Sequence, residues 1–147
     1  MTALYEVVCA VFGALALAAA VAGGLDWWRG GTARAFWLLA RATQVVVAVA
    51  ALLGAVLLLG AGESGRGLQY AYGPIAAGVS FAAEQLRVAS AETVLEALGY
   101  SGAADVGREP EEVQHAVVAA IARREVGIVA AAMAVIVVLA LRGAGTL

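Results

Sequence analysis

Apolar and polar positions fall in long blocks along this chain rather than alternating at a strand or surface-helix period. Four uncharged blocks stand out: 19 residues between Glu6 and Asp26, 21 between Arg41 and Glu63, 17 between Arg66 and Glu84, and 16 between Glu125 and Arg142. A helix rises ~1.5 Å per residue, so ~20 residues cross a hydrocarbon core of ~30 Å. The first two blocks reach that length directly, and the last two reach it once their flanking side chains snorkel to the interface. The pattern predicts an all-α, polytopic membrane protein: one transmembrane domain over residues 1–147, with helices at about 3–25, 35–60, 68–88 and 124–142.

Punctuation between the blocks supports this layout. Asp26-Trp27-Trp28-Arg29-Gly30-Gly31 reads as a helix stop, and the glycines at 60, 62, 65 and 67 surround a short polar turn of Glu63, Ser64 and Arg66. Pro74 lies in the first turns of the third helix; membrane helices tolerate this because neighbours re-satisfy the freed carbonyl. A secretory signal is not expected, since Met1–Tyr5 carries no Lys or Arg and Glu6 is acidic.

Residues 89–123 form the one sizeable extramembrane segment, a helical insertion between the third and fourth membrane helices. Ser90 suits an N-cap, Val94, Leu95 and Leu98 recur at helical spacing, and Tyr100–Gly107 reads as a loop. A second amphipathic helix opens at Pro110, Glu111 and Glu112, whose charges suit a helix N-terminus. Val113, Val117, Ala120 and Ile121 share its apolar face. It either continues into the fourth helix as one rod or lies flat on the leaflet. Glu111, Val113, Val117 and Ile121 are the candidate partner-docking segment; an ordinary connector is the plainer reading.

Arginine bias predicts orientation. Seven arginines (29, 34, 41, 87, 108, 123 and 124) fall on the side of the first and third loops, against Arg66 and Arg142 on the other. That asymmetry places those loops in the cytoplasm and both termini outside. Trp27, Trp28 and Trp37 would then belt the cytoplasmic interface, and Tyr5, Tyr70 and Tyr72 the outer one. The expected location is a bacterial cytoplasmic membrane.

Composition narrows the function classes. Hydrophobic residues make up 63% of the chain and charged residues 14%, against about 25% charged in soluble domains. The nine basic residues are all arginine and the net charge is −2, which excludes a basic nucleic-acid surface. Cys9 is the sole cysteine and His115 the sole histidine; neither pairs into a disulfide, a metal site or an axial haem pair, and no catalytic arrangement can be assembled. No enzyme activity and no cofactor are expected.

Candidate polar positions within the helices are Glu6, Arg41, Gln44, Gln69, Tyr70, Tyr72, Glu84 and Arg87. Arg41 and Glu84 are placed to pair across the bundle, and Glu84 with Arg87 has the i,i+3 spacing of an ion pair. The plain reading is a structural clamp; the sharper one is an ion or proton path with Glu6 at one mouth and Glu84 at the other. Thr43, Gln44, Gln69, Tyr70, Tyr72 and Ser80 are expected to hydrogen-bond between helices. Small residues stripe one face of the first helix (Cys9, Gly13, Ala16, Ala20, Gly23), with shorter stripes at Ala50 and Gly54, Gly73 and Ala77, and Gly127, Ala131 and Ala134. Such stripes serve packing within the bundle or against a partner.

The runs Arg41-Ala42-Thr43-Gln44, Gln69-Tyr70-Ala71-Tyr72-Gly73 and Arg124-Glu125 resemble a group of small, uncharacterised four-helix membrane proteins of actinobacterial type. The likeness covers the helices and not residues 89–122. It implies the four-helix fold and no named activity. In that pattern His often precedes the first tyrosine; Gln69 stands there instead, which weakens a haem reading. Three functions remain: an accessory or assembly subunit of a larger membrane complex, which leads; a small homo-oligomeric channel or transporter; and a haem- or quinone-associated electron-transfer subunit using Gln69, Tyr70 and Tyr72. The partners expected are the bilayer and other membrane subunits or further copies of the chain.

Overall fold

A computed structural model describes residues 2–31, 34–60 and 67–146. These form six helices: α1 Thr2–Arg29, α2 Arg34–Gly60, α3 Gly67–Val88, α4 Ser90–Ala97, α5 Ala103–Val106 and α6 Glu111–Gly143. Helices α1, α2 and α6 are long and apolar enough to cross a membrane. The protein is therefore an all-α bundle with three candidate spans, in contact with lipid and multi-pass. Of the polar turn expected after the second helix, residues 61–66 lie outside the described residues.

Each of α1 and α3 packs against both α2 and α6, so the long helices stand at the corners of a square in the order α1, α2, α3, α6. Every neighbour is antiparallel. Inward positions recur every three or four residues: Tyr5, Cys9, Phe12, Ala16, Ala19 and Gly23 on α1; Val126, Val129, Met133, Ile136 and Ala140 on α6. Outward positions are apolar too, as lipid contact requires: Leu52, Leu59, Leu68 and Phe81 are each more than two-thirds exposed.

Small residues set the closeness of the helices. A Cβ on Gly13 would lie 2.8 Å from the Cβ of Ala140, one on Gly23 would strike the Phe36 ring, and one on Gly73 would lie 2.6 Å from the carbonyl oxygen of Ala50. The α1 stripe therefore faces its own bundle and not a partner. Ala131 and Ala134 of the α6 stripe point outward.

Four local readings are corrected. First, α1 does not stop at Leu25 but runs through Asp26-Trp27-Trp28 to Arg29, because Trp27 lies against Gly127 of α6 and gains packing by staying helical. The stop comes at Gly30, whose φ of +71° favours glycine, with Gly31 N–H donating to the Asp26 carbonyl at 2.9 Å. Second, Ser90 is not an N-cap; α3 passes almost directly into α4, and the Ser90 hydroxyl donates back to the Leu86 carbonyl. Third, the Tyr100–Gly107 stretch contains the single turn α5. Fourth, Tyr5 and Tyr70 lie near one end of the bundle but turn inward, buried in the core, instead of forming a belt that faces lipid.

Of the two layouts open for the second amphipathic helix, the structure takes the rod. α6 is one helix of 33 residues from Glu111 to Gly143, about 50 Å long. It exceeds a ~30 Å hydrocarbon core by about 20 Å. Its first turns project from the bundle, and α4 and α5 fold back onto them.

Candidate functional site

Polar side chains gather at the two ends of the bundle and along the projecting part of α6. At the end nearest the projection, Glu84 of α3 is the hub. Its Oε1 accepts from Arg41 Nη1 at 3.1 Å and Gln44 Nε2 at 2.8 Å, and its Oε2 from Arg87 Nε at 2.9 Å. Arg41 Nη2 approaches the same oxygen at 3.5 Å, and Arg41 also donates to Gln44 Oε1 at 2.8 Å. Arg87 continues to Glu125 of α6 at 3.7 Å, and its guanidinium stands 5.8 Å from the Trp37 ring centroid. Four of the positions selected from the sequence thus meet: Arg41, Gln44, Glu84 and Arg87. Both oxygens of Glu84 are engaged, an arrangement that holds α2, α3 and α6 in register and leaves the carboxylate little capacity to relay a proton. Glu125 and Trp37 were missed as site residues because they lie on other elements at no fixed spacing from Glu84.

At the opposite end the hub is neutral. Pro74 lacks an N–H, so the Tyr70 carbonyl four residues earlier loses its helical donor. The Tyr5 hydroxyl fills that break: it accepts from Gly73 N–H at 3.0 Å and faces the Gln69 and Tyr70 carbonyls at 3.2 and 3.3 Å. One phenolic proton serves those two acceptors. The Tyr5 and Tyr70 rings meet edge to face at 5.5 Å. Gln69 Nε2 donates to the Gly143 carbonyl of α6 at 3.0 Å, and the Tyr70 hydroxyl pairs with Thr2 Oγ1 at 3.1 Å. Gln69 and Tyr70 are thereby placed in a hydrogen-bonded latch around Tyr5. Sequence reading missed the role of Tyr5, although the proline was the available signal.

The remaining candidates do not join either cluster. Glu6 is half-buried with no ion pair among the described residues, and Tyr72 is half-buried on α3. Glu6 and Glu84 sit in separate ends of a packed bundle. Thr43 was expected to bridge helices but bonds within its own, donating to the Leu39 carbonyl at 2.8 Å. Ser80 Oγ is buried without a hydrogen-bond partner.

The projecting segment carries an open apolar groove. Leu98 and Tyr100 form one wall, Val113, Ala116, Val117 and Ala120 of α6 the other, with Glu112 at the rim. Of the docking candidates, Val113 and Val117 line this groove, Glu111 is exposed beside it, and Ile121 is half-buried away from it. Val94, Val106 and Val117 are buried where α4 and α5 meet α6. Glu112 is the one charged residue lining the groove, and residues 89–122 contain six carboxylates against one arginine, with Arg123 and Arg124 following. His115 is exposed on the same helix.

Comparison of the chain with protein-family models, with curated proteins and with solved structures returns no match. The short likeness through Arg41–Gln44, Gln69–Gly73 and Arg124–Glu125 identifies no family, and the chain is described by its architecture: a small all-helical protein with three candidate membrane-spanning helices.

Proposed function

We propose that this protein is a non-catalytic subunit of a larger membrane complex, anchored by its helical bundle and docked through the segment formed by α4, α5 and the start of α6. The observation that carries this reading is the open apolar groove between Leu98–Tyr100 and Val113–Ala120, with Glu112 at its rim on a segment rich in carboxylates. An apolar centre with a charged rim is the layout of many interaction sites. The complementary partner is an amphipathic segment with basic flanks.

In this reading the bundle spans the membrane four times. The 22 residues of α3 rise about 33 Å, enough for a ~30 Å core, and α3 packs antiparallel between α2 and α6. Four spans put the docking segment and seven of the nine arginines on one side. The positive-inside rule makes that side the cytoplasm and sets both termini outside. A bacterial plasma membrane is the proposed location.

Native mass spectrometry of the protein taken from its own membrane in mild detergent tests the assignment. The expected result is a defined heterologous subunit that travels with the wild type and is lost in Ala116→Arg, because Ala116 is exposed in the groove and its replacement spares the bundle. A closed ring of identical chains, unchanged by Ala116→Arg, would replace this reading with the homo-oligomeric channel or transporter.

A further inference from the structure

Where α1 and α6 leave the bundle, two depressions share a wall. One is apolar and faces the lipid: Gly24, Gly127 and Ala131 form its floor between the helices, and Trp27 and Arg124 close its end. The second lies beyond Trp27 and Arg124, between the end of α1, Val94 of α4 and the turn of α6 that carries Arg123. Gly127 makes the junction possible, since a Cβ there would lie 3.0 Å from Trp27 Cδ1 and 3.1 Å from Nε1. The indole therefore lies against α6, with the Arg123 guanidinium 5.3 Å from its ring centroid.

Charge distinguishes this place from the rest of the lipid-facing surface. Arg123 and Arg124 form no ion pair among the described residues, as is also true of Arg29, Arg34 and Arg142; what sets them apart is that two successive guanidinium groups stand beside a lipid-facing groove. Both are exposed, and Trp27 is 45% exposed. An apolar groove ended by an interfacial indole and Arg124, with Arg123 in the depression just beyond, fits a phosphate ester carrying an acyl chain.

We infer that the outer α1–α6 groove is a binding site for an anionic phospholipid, with the acyl chain along Gly24, Gly127 and Ala131 and the headgroup phosphate at Arg123 and Arg124. The site requires only that α1 and α6 cross the membrane; Ala120 lies between its second depression and the docking groove, and no other lining residue is common to the two. A zwitterionic lipid brings its own cation to the phosphate and gains less from two arginines. A bound lipid here would also fill the crevice between α4 and the end of α1, fixing the angle at which the projecting segment leaves the membrane.

The test is native mass spectrometry of the delipidated protein offered equal amounts of dioleoyl phosphatidylglycerol and dioleoyl phosphatidylcholine. The wild type is expected to retain one phosphatidylglycerol in preference, and Arg123→Gln/Arg124→Gln to lower that preference roughly tenfold. Arg142→Gln, which removes an arginine from the opposite end, is expected to leave it unchanged. Gly24→Leu fills the acyl groove from a position where a Cβ meets nothing within 4 Å, so the bundle is spared and retention of the lipid falls. Equal retention of the two lipids by the wild type would overturn the site. So would a preference that survives the double arginine substitution, one that falls as far in Arg142→Gln, or one indifferent to Gly24→Leu.

Discussion

The membrane bundle and the segment that projects from it are built on opposite terms. In the bundle, glycines and alanines bring backbones together until no further atom fits, and the Tyr5 and Glu84 hubs satisfy their neighbours across helices. In the projection, a single row of valines (Val94, Val106 and Val117) is buried beneath two short helices, and an apolar groove stays open beside them. The bundle has its contacts made already; the projection has contacts to give. That difference places a closely packed region and an open one within 147 residues, which is the basis of the proposed division between anchorage and docking.

The contrast can be broken most severely at the close helix crossing. Gly54→Leu drives a side chain into the Tyr70 carbonyl and against Pro74. Because the obstacle is backbone, the expected loss is about 3 kcal/mol or more, read as unfolding of the purified protein in mixed micelles. A Gly54→Leu variant as stable as wild type would show that α2 and α3 do not approach as described.

Next in size is the proline latch. Tyr5→Phe leaves Gly73 N–H and the freed carbonyls without their partner, at an expected cost of about 1–3 kcal/mol. Pro74→Ala returns a donor for the Tyr70 carbonyl, so Tyr5→Phe costs less in that background. The double-mutant cycle measures this coupling. Additive losses would mean that the hydroxyl does not serve the break left by Pro74.

Smaller again is the charged clamp. Glu84→Gln removes the charge that gathers Arg41 and Arg87, but Arg41 is about half exposed, so solvent screens much of the attraction. The expected loss is about 1 kcal/mol, lessened by salt in the wild type. Smallest in stability is Ala116→Arg, expected to fall within about 0.5 kcal/mol of wild type while abolishing association with the partner. Hydrogen exchange on the same proteins sharpens the comparison: amides of α4 and α5 are expected to exchange far faster than those of α1 and α2, since few buried contacts hold them. Equal protection would remove the distinction between the two regions.

What could be read in the sequence followed from what lipid demands. Uncharged length located the helices, and i,i+3 spacing together with end-of-helix position anticipated the pairing of Arg41, Glu84 and Arg87. Glu125 was hidden because it joins through Arg87 from a helix whose register against α3 no local pattern specifies. Tyrosine favours the interfacial level, which points Tyr5 towards lipid; Pro74 announces the missing donor in α3, but that the hydroxyl meeting it comes from α1 emerges only once the helices are assembled. The end of α1 was misplaced for a related reason, as packing of Trp27 on Gly127 outweighs the local stop chemistry of the charge and glycines. The groove was half legible. Val113 and Val117 showed an apolar face, but that the turn after α4 brings Leu98 and Tyr100 back as the opposite wall is a tertiary fact.

The most direct test places a photo-crosslinking residue at Ala116, in the groove, and separately at Leu52, on the lipid-facing side of α2, and illuminates cells under native expression. The expected result is a cross-link from position 116 to one defined heterologous protein and none to that protein from position 52. Cross-links from both positions only to further copies of this chain would contradict it.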